Sequence, residues 1–170
     1  NTNNWQKDYL FVNISYIYLL KNFTSWTPIS ITISQKEDSL VNTELLVEES
    51  TITLARALIQ RPSVTPNDNG CQKIIRDELE KVGFICEQLD FENVSNLWAR
   101  YGTQEPLLVF AGHTDVVPTG PLGQWDYPPF SATTDNGLLH GRGASDMKGS
   151  IAAMVTASQR FAANPNKSIG

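Results

Sequence analysis

Between the turn-forming stretch Gly102-Thr103-Gln104-Glu105-Pro106 and Gly112 lies an unbroken apolar run, Leu107-Leu108-Val109-Phe110-Ala111. Five residues are too few for a stable helix, and the absence of alternation suits a central strand covered on both faces. Such a strand needs helices packed above and below it, so this run alone points to an α/β fold. The neighbouring patterns agree. Leu45, Leu46, Ile52, Leu54, Leu58 and Ile59 recur at roughly helical intervals. Arg61-Pro62 closes that helix, because a residue before proline is pushed out of the α region. Ser63 to Gly70 is turn-rich. Cys71, Ile74, Ile75, Leu79 and Val82 make the apolar face of a second helix, with Gly83 placed to end it. Residues 84–91 and 96–101 read as strands. A long loop carrying Pro118, Pro121, Pro128 and Pro129 follows the apolar run, and a last helix is predicted from about Met147 to Ala163. The expected fold is α/β, with a central sheet flanked by helices.

Composition divides the 170 residues near position 46. No Gly occurs before Gly70 and no Ala before Ala55, whereas both are frequent afterwards. Residues 1–45 are rich in Asn, Ser, Thr, Ile and Tyr, and are expected to form a poorly ordered leader or extension outside the domain of residues 46–170. The most apolar part of that stretch, Tyr9 to Leu20, is interrupted by Asn13 and Ser15 and falls short of the roughly 20 apolar residues of a membrane span. No small-x-small cleavage site follows it, so a secretory signal is not expected either. The start at Asn1 and the late first methionine, Met147, lead to the expectation of a fragment. With 13 Lys+Arg against 18 Asp+Glu, the net charge of −5 argues against a nucleic-acid partner, whose mark would be a basic patch. Cys71 and Cys86 cannot build a disulfide scaffold and suit a reducing cytoplasm.

The chemistry gathers between His113 and Asp146. In an open α/β sheet, ligands sit beyond the carboxyl ends of the strands, and the apolar run ends in Gly112-His113-Thr114-Asp115. At i and i+2 in extended chain, His113 and Asp115 project to the same side. Asp115 can then accept from one imidazole nitrogen while the other faces a metal, an arrangement that fixes the tautomer and raises ligand basicity. Further on, Gly141-Arg142-Gly143-Ala144-Ser145-Asp146 delivers a carboxylate to the mouth of the last helix. There it serves either as a helix cap or as a ligand. A phosphate loop is excluded by order, since Lys148-Gly149-Ser150 reverses the Gly-Lys-Ser/Thr sequence that such a loop needs. His140, alone before a glycine, is expected to be structural.

The blocks Gly112-His113-Thr114-Asp115-Val116-Val117-Pro118-Thr119-Gly120-Pro121, Trp125, Pro128-Pro129-Phe130 and Gly137 to Gly149 resemble the amino-terminal half of the zinc aminoacylase and carboxypeptidase family. Arg61-Pro62-Ser63-Val64-Thr65-Pro66 and Asn96-Leu97-Trp98-Ala99-Arg100 are similar to it too, so the resemblance spans about Thr43 to Gly170 and implies a partial zinc-peptidase-like catalytic domain with a central mixed sheet flanked by helices. It implies that His113 is a terminal ligand of one zinc, that Asp146 bridges two zincs across a cis Asp146–Met147 peptide, and that Asp115 is the catalytic-site residue behind His113. It also implies two zinc ions, with cobalt as a substitute, and metal-assisted hydrolysis of a small N-acyl amino acid. A homodimer formed through a lid domain outside this chain belongs to the same expectation. His140 stands where the family more often has Tyr. The family's paired glutamates and later ligands have no counterpart, since there is no Glu after Glu105 and no His after His140. The chain by itself is therefore expected to be inactive. Two rival readings stay open: another amidohydrolase of the same family, and a non-catalytic binding module that kept the fold.

Overall fold

The computed structural model describes residues 8–13, 41–103 and 107–164, with the backbone alone for 8–13 and 41–48. Among these residues three α-helices and six strands follow one another in the order β1 (Asp8–Asn13), α1 (Val41–Ile59), α2 (Cys71–Glu80), β2 (Ile85–Gln88), β3 (Leu97–Tyr101), β4 (Leu107–Gly112), β5 (Thr133–Asp135), β6 (Leu138–His140) and α3 (Gly149–Ala163). Four strands form one sheet in the order β2-β3-β1-β4, and β5 and β6 make a separate hairpin. The larger sheet is mixed, since β1 runs antiparallel to β3 and parallel to β4.

The helices form where the apolar spacing places them. Leu54, Ala55 and Leu58 of α1 meet Cys71, Ile75 and Leu79 of α2 and Ile151, Ala152 and Val155 of α3, and this layer closes on Phe84, Leu97 and Ala99. Burying each large aliphatic side chain contributes about 1.5–3 kcal/mol, so the helical layer and the inner face of β3 form the chain's main source of stability. Gly83, with φ of 92°, takes the left-handed turn after α2 that a side chain would resist. A hydrogen bond between Thr51 Oγ1 and Thr156 Oγ1, at 2.8 Å, ties α1 to α3.

Three features differ from the sequence expectation. The stretch expected to stay outside the domain supplies β1, between β3 and β4. Residues 8–13 join apolar and aromatic side chains in a run with the propensity of a strand, which the test for a membrane span or signal does not weigh. The rest of residues 1–40 lies outside the described residues. The second difference is β4 itself, expected at the centre and covered on both faces. Among the described residues it is paired on one side alone, and Leu107, Leu108 and Val109 are 39–42% exposed. Helices pack on one face of the sheet, and among the described residues nothing of that kind covers the other. The last helix begins two residues later than expected, because the segment 144–148 is a separate turn in which Asp146 and Met147 leave helical geometry.

Candidate metal centre

Three segments converge where β4 ends: the α1–α2 connection, the exit of β4 and the turn before α3. The first two are joined backbone to backbone. Val64 and Val116 form a parallel bridge, the Val116 amide donates to the Ser63 carbonyl at 2.9 Å, and the Thr65 amide donates to the Val116 carbonyl at 3.1 Å. Ser63 Oγ donates to the Thr114 carbonyl at 2.6 Å, and Thr114 Oγ1 donates to Asp68 Oδ1 at 3.1 Å. Asp68 also accepts the Gln72 amide, which anchors the first turn of α2. Buried Ser63 and Thr114 are thus satisfied, as buried hydroxyls must be.

The third segment is held by shape. Gly143 has φ of 81°, and a Cβ built there would come within 2.6 Å of Val116 Cγ1, so the turn lies directly on the exit of β4. The Lys148 amide closes it by donating to the Gly143 carbonyl at 2.8 Å. The Lys148 side chain is fully buried, and its ammonium donates to the carbonyls of Leu58 and Arg61 at 2.8 and 2.7 Å. These carbonyls lie at the carboxyl end of α1, where the helix dipole favours a cation. Burial nevertheless pushes the Lys148 pKa down, against the opposing pull of Cys71, Asp68 and Asp115. Sequence reading weighed this lysine as a phosphate ligand; the structure uses it as a bolt between α1 and the turn.

These supports bring the three expected residues together. His113 Nε2 lies 3.1 Å from Asp146 Oδ1, across 33 positions of sequence. His113 Nδ1 faces Asp115, 3.0 Å from its carbonyl oxygen and 3.3 Å from Oδ1. The Asp115 carboxylate is mostly buried, with its side chain 15% exposed, whereas that of Asp146 is 86% exposed and opens into the cavity. The cavity measures about 260 Å³ and is lined by Thr65, His113, Asp115, Arg142 and Asp146 among others. Asp146 makes no capping bond to α3, so the cap reading of this carboxylate is not realised. The Asp146–Met147 peptide is cis, as the resemblance implied. His140 sits on β6 with its ring 4.7 Å from that of Tyr127, an aromatic contact away from the cavity lining.

An imidazole nitrogen and an exposed carboxylate oxygen side by side form a donor set that suits zinc, and the carboxylate behind the imidazole is the partner a zinc-bound histidine takes. Together they fit one side of a zinc shell. Among the described residues, no group of three or more His, Cys, Asp and Glu side chains could enclose a metal by itself.

Two site residues carried no role in the sequence reading. Thr65 Oγ1 donates to Asp115 Oδ2 at 2.6 Å. Arg142 lies over the Trp125 ring, 4.8 Å from its centroid, and donates to the Thr119 carbonyl at 3.3 Å, which fastens the proline-rich loop to the cavity wall. Neither has a spacing that marks it, since both depend on segments that meet only in the fold.

Known proteins resemble this chain in the region that carries the site. Residues 109–169 match Peptidase family M20/M25/M40. The M20 match begins inside β4 and takes in His113, Asp115 and Asp146. The chain is also similar to proteins named succinyl-diaminopimelate desuccinylase. It is 64% identical over 110 residues to the one from Pseudoalteromonas translucida (strain TAC 125), which covers 65% of this chain and 29% of that protein. It is 59% identical over 111 residues to the one from Hahella chejuensis (strain KCTC 2396), covering 65% and 29% respectively. Against the protein of Alkalilimnicola ehrlichii (strain ATCC BAA-1101 / DSM 17681 / MLHE-1), identity is 56% over 120 residues, 71% of this chain and 32% of that protein. The chain therefore spans about a third or less of the length of these relatives.

Proposed function

We propose that this chain is the amino-terminal part of a zinc-dependent amidohydrolase whose substrate is N-succinyl-L,L-2,6-diaminopimelate, hydrolysed to succinate and L,L-diaminopimelate in lysine and diaminopimelate biosynthesis in the cytoplasm. The observation that carries the reading is the meeting of His113 Nε2 with Asp146 Oδ1 at the mouth of a cavity, with Asp115 behind the ring. His113 and Asp146 would hold the metal, which when bound supplies Lewis acidity and a water activated near neutral pH. The chain's own residues do the rest. Asp115 orients His113, Gly143 and Lys148 fix the turn that presents Asp146, and Arg142 with Trp125 holds the wall of the cavity. Two free cysteines, both with pKa values raised by burial, suit the cytoplasmic setting.

Acetylornithine deacetylase or a related metallo-amidohydrolase would share the His-Thr-Asp and Gly-Arg-Gly blocks. The Pro118-Thr119-Gly120-Pro121 and Pro128-Pro129-Phe130 details and the names of the matched relatives favour the desuccinylase. A homodimer completed outside this chain belongs to the same proposal, whereas the acidic charge balance argues against a nucleic-acid partner. Among the described residues no helix is long and apolar enough to cross a membrane.

Because His113 and Asp146 are the two donors among the described residues and no glutamate follows Glu105, the chain alone is expected to bind zinc weakly and to leave substrate intact. Zinc titration against a weak chromophoric chelator tests this. Binding lost in His113→Ala supports the proposal. Equal binding in the variant and the parent would refute the metal centre and favour a binding module that has kept only the fold.

A further inference from the structure

The α1–α2 connection is more than a link between helices, because its backbone is stitched to residues 114–116 and its side chains reach into the site. We infer that Thr65 is a positioning residue for the metal centre, setting the rotation of the Asp115 carboxylate and through it the orientation of His113. The inference rests on the metal-centre reading above.

The geometry divides the two Asp115 oxygens between two partners. Oδ2 accepts the Thr65 hydroxyl at 2.6 Å, and Oδ1 lies 3.3 Å from His113 Nδ1, so the carboxylate shares the hold on the ring with the Asp115 carbonyl oxygen at 3.0 Å. A carboxylate rotates about a single soft torsion, so a short bond to one oxygen decides where the other points. The donor itself has little freedom. Its backbone is fixed by the Val64–Val116 bridge and by the Thr65 amide bond to the Val116 carbonyl. Its one alternative acceptor, the Val116 carbonyl, is at 3.4 Å and so the weaker partner. Both residues line the cavity, so water can reach the carboxylate, but it would be a mobile donor where the Thr65 hydroxyl is a fixed one. Loss of the Thr65 donor frees the carboxylate to turn and loosens the imidazole that faces Asp146. Groups that orient a metal-binding histidine in this way typically change metal affinity about 10–100-fold when removed.

The test compares Thr65→Val, Thr65→Ala and Thr65→Ser in the 170-residue chain, with His113→Ala as reference. Zinc affinity is read by chelator competition, the cobalt-loaded site by visible absorption, and folding by thermal unfolding. Thr65→Val keeps the shape and loses the donor; it is expected to weaken zinc binding about 10-fold or more, with an altered cobalt spectrum and an unchanged unfolding midpoint. Thr65→Ala should match it, and Thr65→Ser, which keeps the hydroxyl, should stay within about twofold of the parent. Zinc affinity within about twofold of the parent in both Thr65→Val and Thr65→Ala overturns the inference, as does equal weakening in Thr65→Ser. If His113→Ala binds zinc like the parent, the metal centre itself is refuted, and the inference falls with it on evidence from a different variant.

Discussion

The meeting of His113, Asp115 and Asp146 follows what the family resemblance implied, whereas their spacing alone marks them only weakly. Histidine occurs twice in the chain, and a glycine-flanked carboxylate before a helix stands out against the surrounding loop. Thr65 and Lys148 were not legible in their roles, for a physical reason. Threonine hydroxyls are common, and a lysine reads as a solvated charge until the fold buries it. Lys148 is hidden because its hydrogen-bond partners are backbone carbonyls about 90 positions away, which leave no mark on side-chain patterns. The cysteines show the same dependence on surroundings. Burial, reinforced by Glu80, pushes Cys86 from its ordinary value up to about 11. A raised pKa keeps the thiol protonated, and the thiolate is the form that reacts. Cys86 should therefore be alkylated at pH 8 about 100-fold more slowly than an unperturbed thiol, with the rate climbing as pH approaches 11. Rapid labelling at pH 8, located by mass spectrometry, would contradict that burial.

At the scale of elements, α1, α2 and the strands β2 and β3 fall close to where periodicity and turn residues place them. The discrepancy at the start of α3 is local. Apolar spacing continues smoothly through Met147 and Ile151, yet the backbone from 144 to 148 follows the close approach of Gly143 to Val116 instead. That contact makes a sharp prediction. Gly143→Ala would place a methyl 2.6 Å from Val116 Cγ1 on a residue whose φ is 81°. Overpacking of about 1–3 kcal/mol and the left-handed backbone penalty of about 1–2 kcal/mol act in the same direction. Urea denaturation should show a loss of at least about 2 kcal/mol, and zinc binding should weaken with it because Asp146 is carried on the same turn. A neutral result would mean that the turn can shift without disturbing either property.

For the whole molecule, the fold class was legible but the position of β4 was not. An unbroken apolar run shows that a strand is suited to burial; it does not show what buries it. Among the described residues β4 lies at the sheet's edge, with Leu107, Leu108 and Val109 partly exposed in succession. Consecutive strand residues face opposite sides, so apolar surface is open on both. An edge of this kind is a template for pairing with another chain, and a single inserted charge blunts it. The isolated chain is therefore expected to associate as its concentration rises, and Leu108→Lys to reduce that association, both read by light scattering after size exclusion. A parent chain that stays monomeric at high concentration would show that β4 is protected in solution.

The bond pattern of the α1–α2 connection has a consequence for how this chain can vary. Connections between helices usually accept changes in length freely, because nothing beyond their ends depends on the count. Here Ser63, Val64 and Thr65 are in register with residues 114–116, while Asp68, three positions later, joins the start of α2 to Thr114. The segment acts as a ruler with marks at both ends. One residue inserted between Pro66 and Asp68 would keep the first set of bonds and break the second, so related chains should differ here in side chains far more readily than in length.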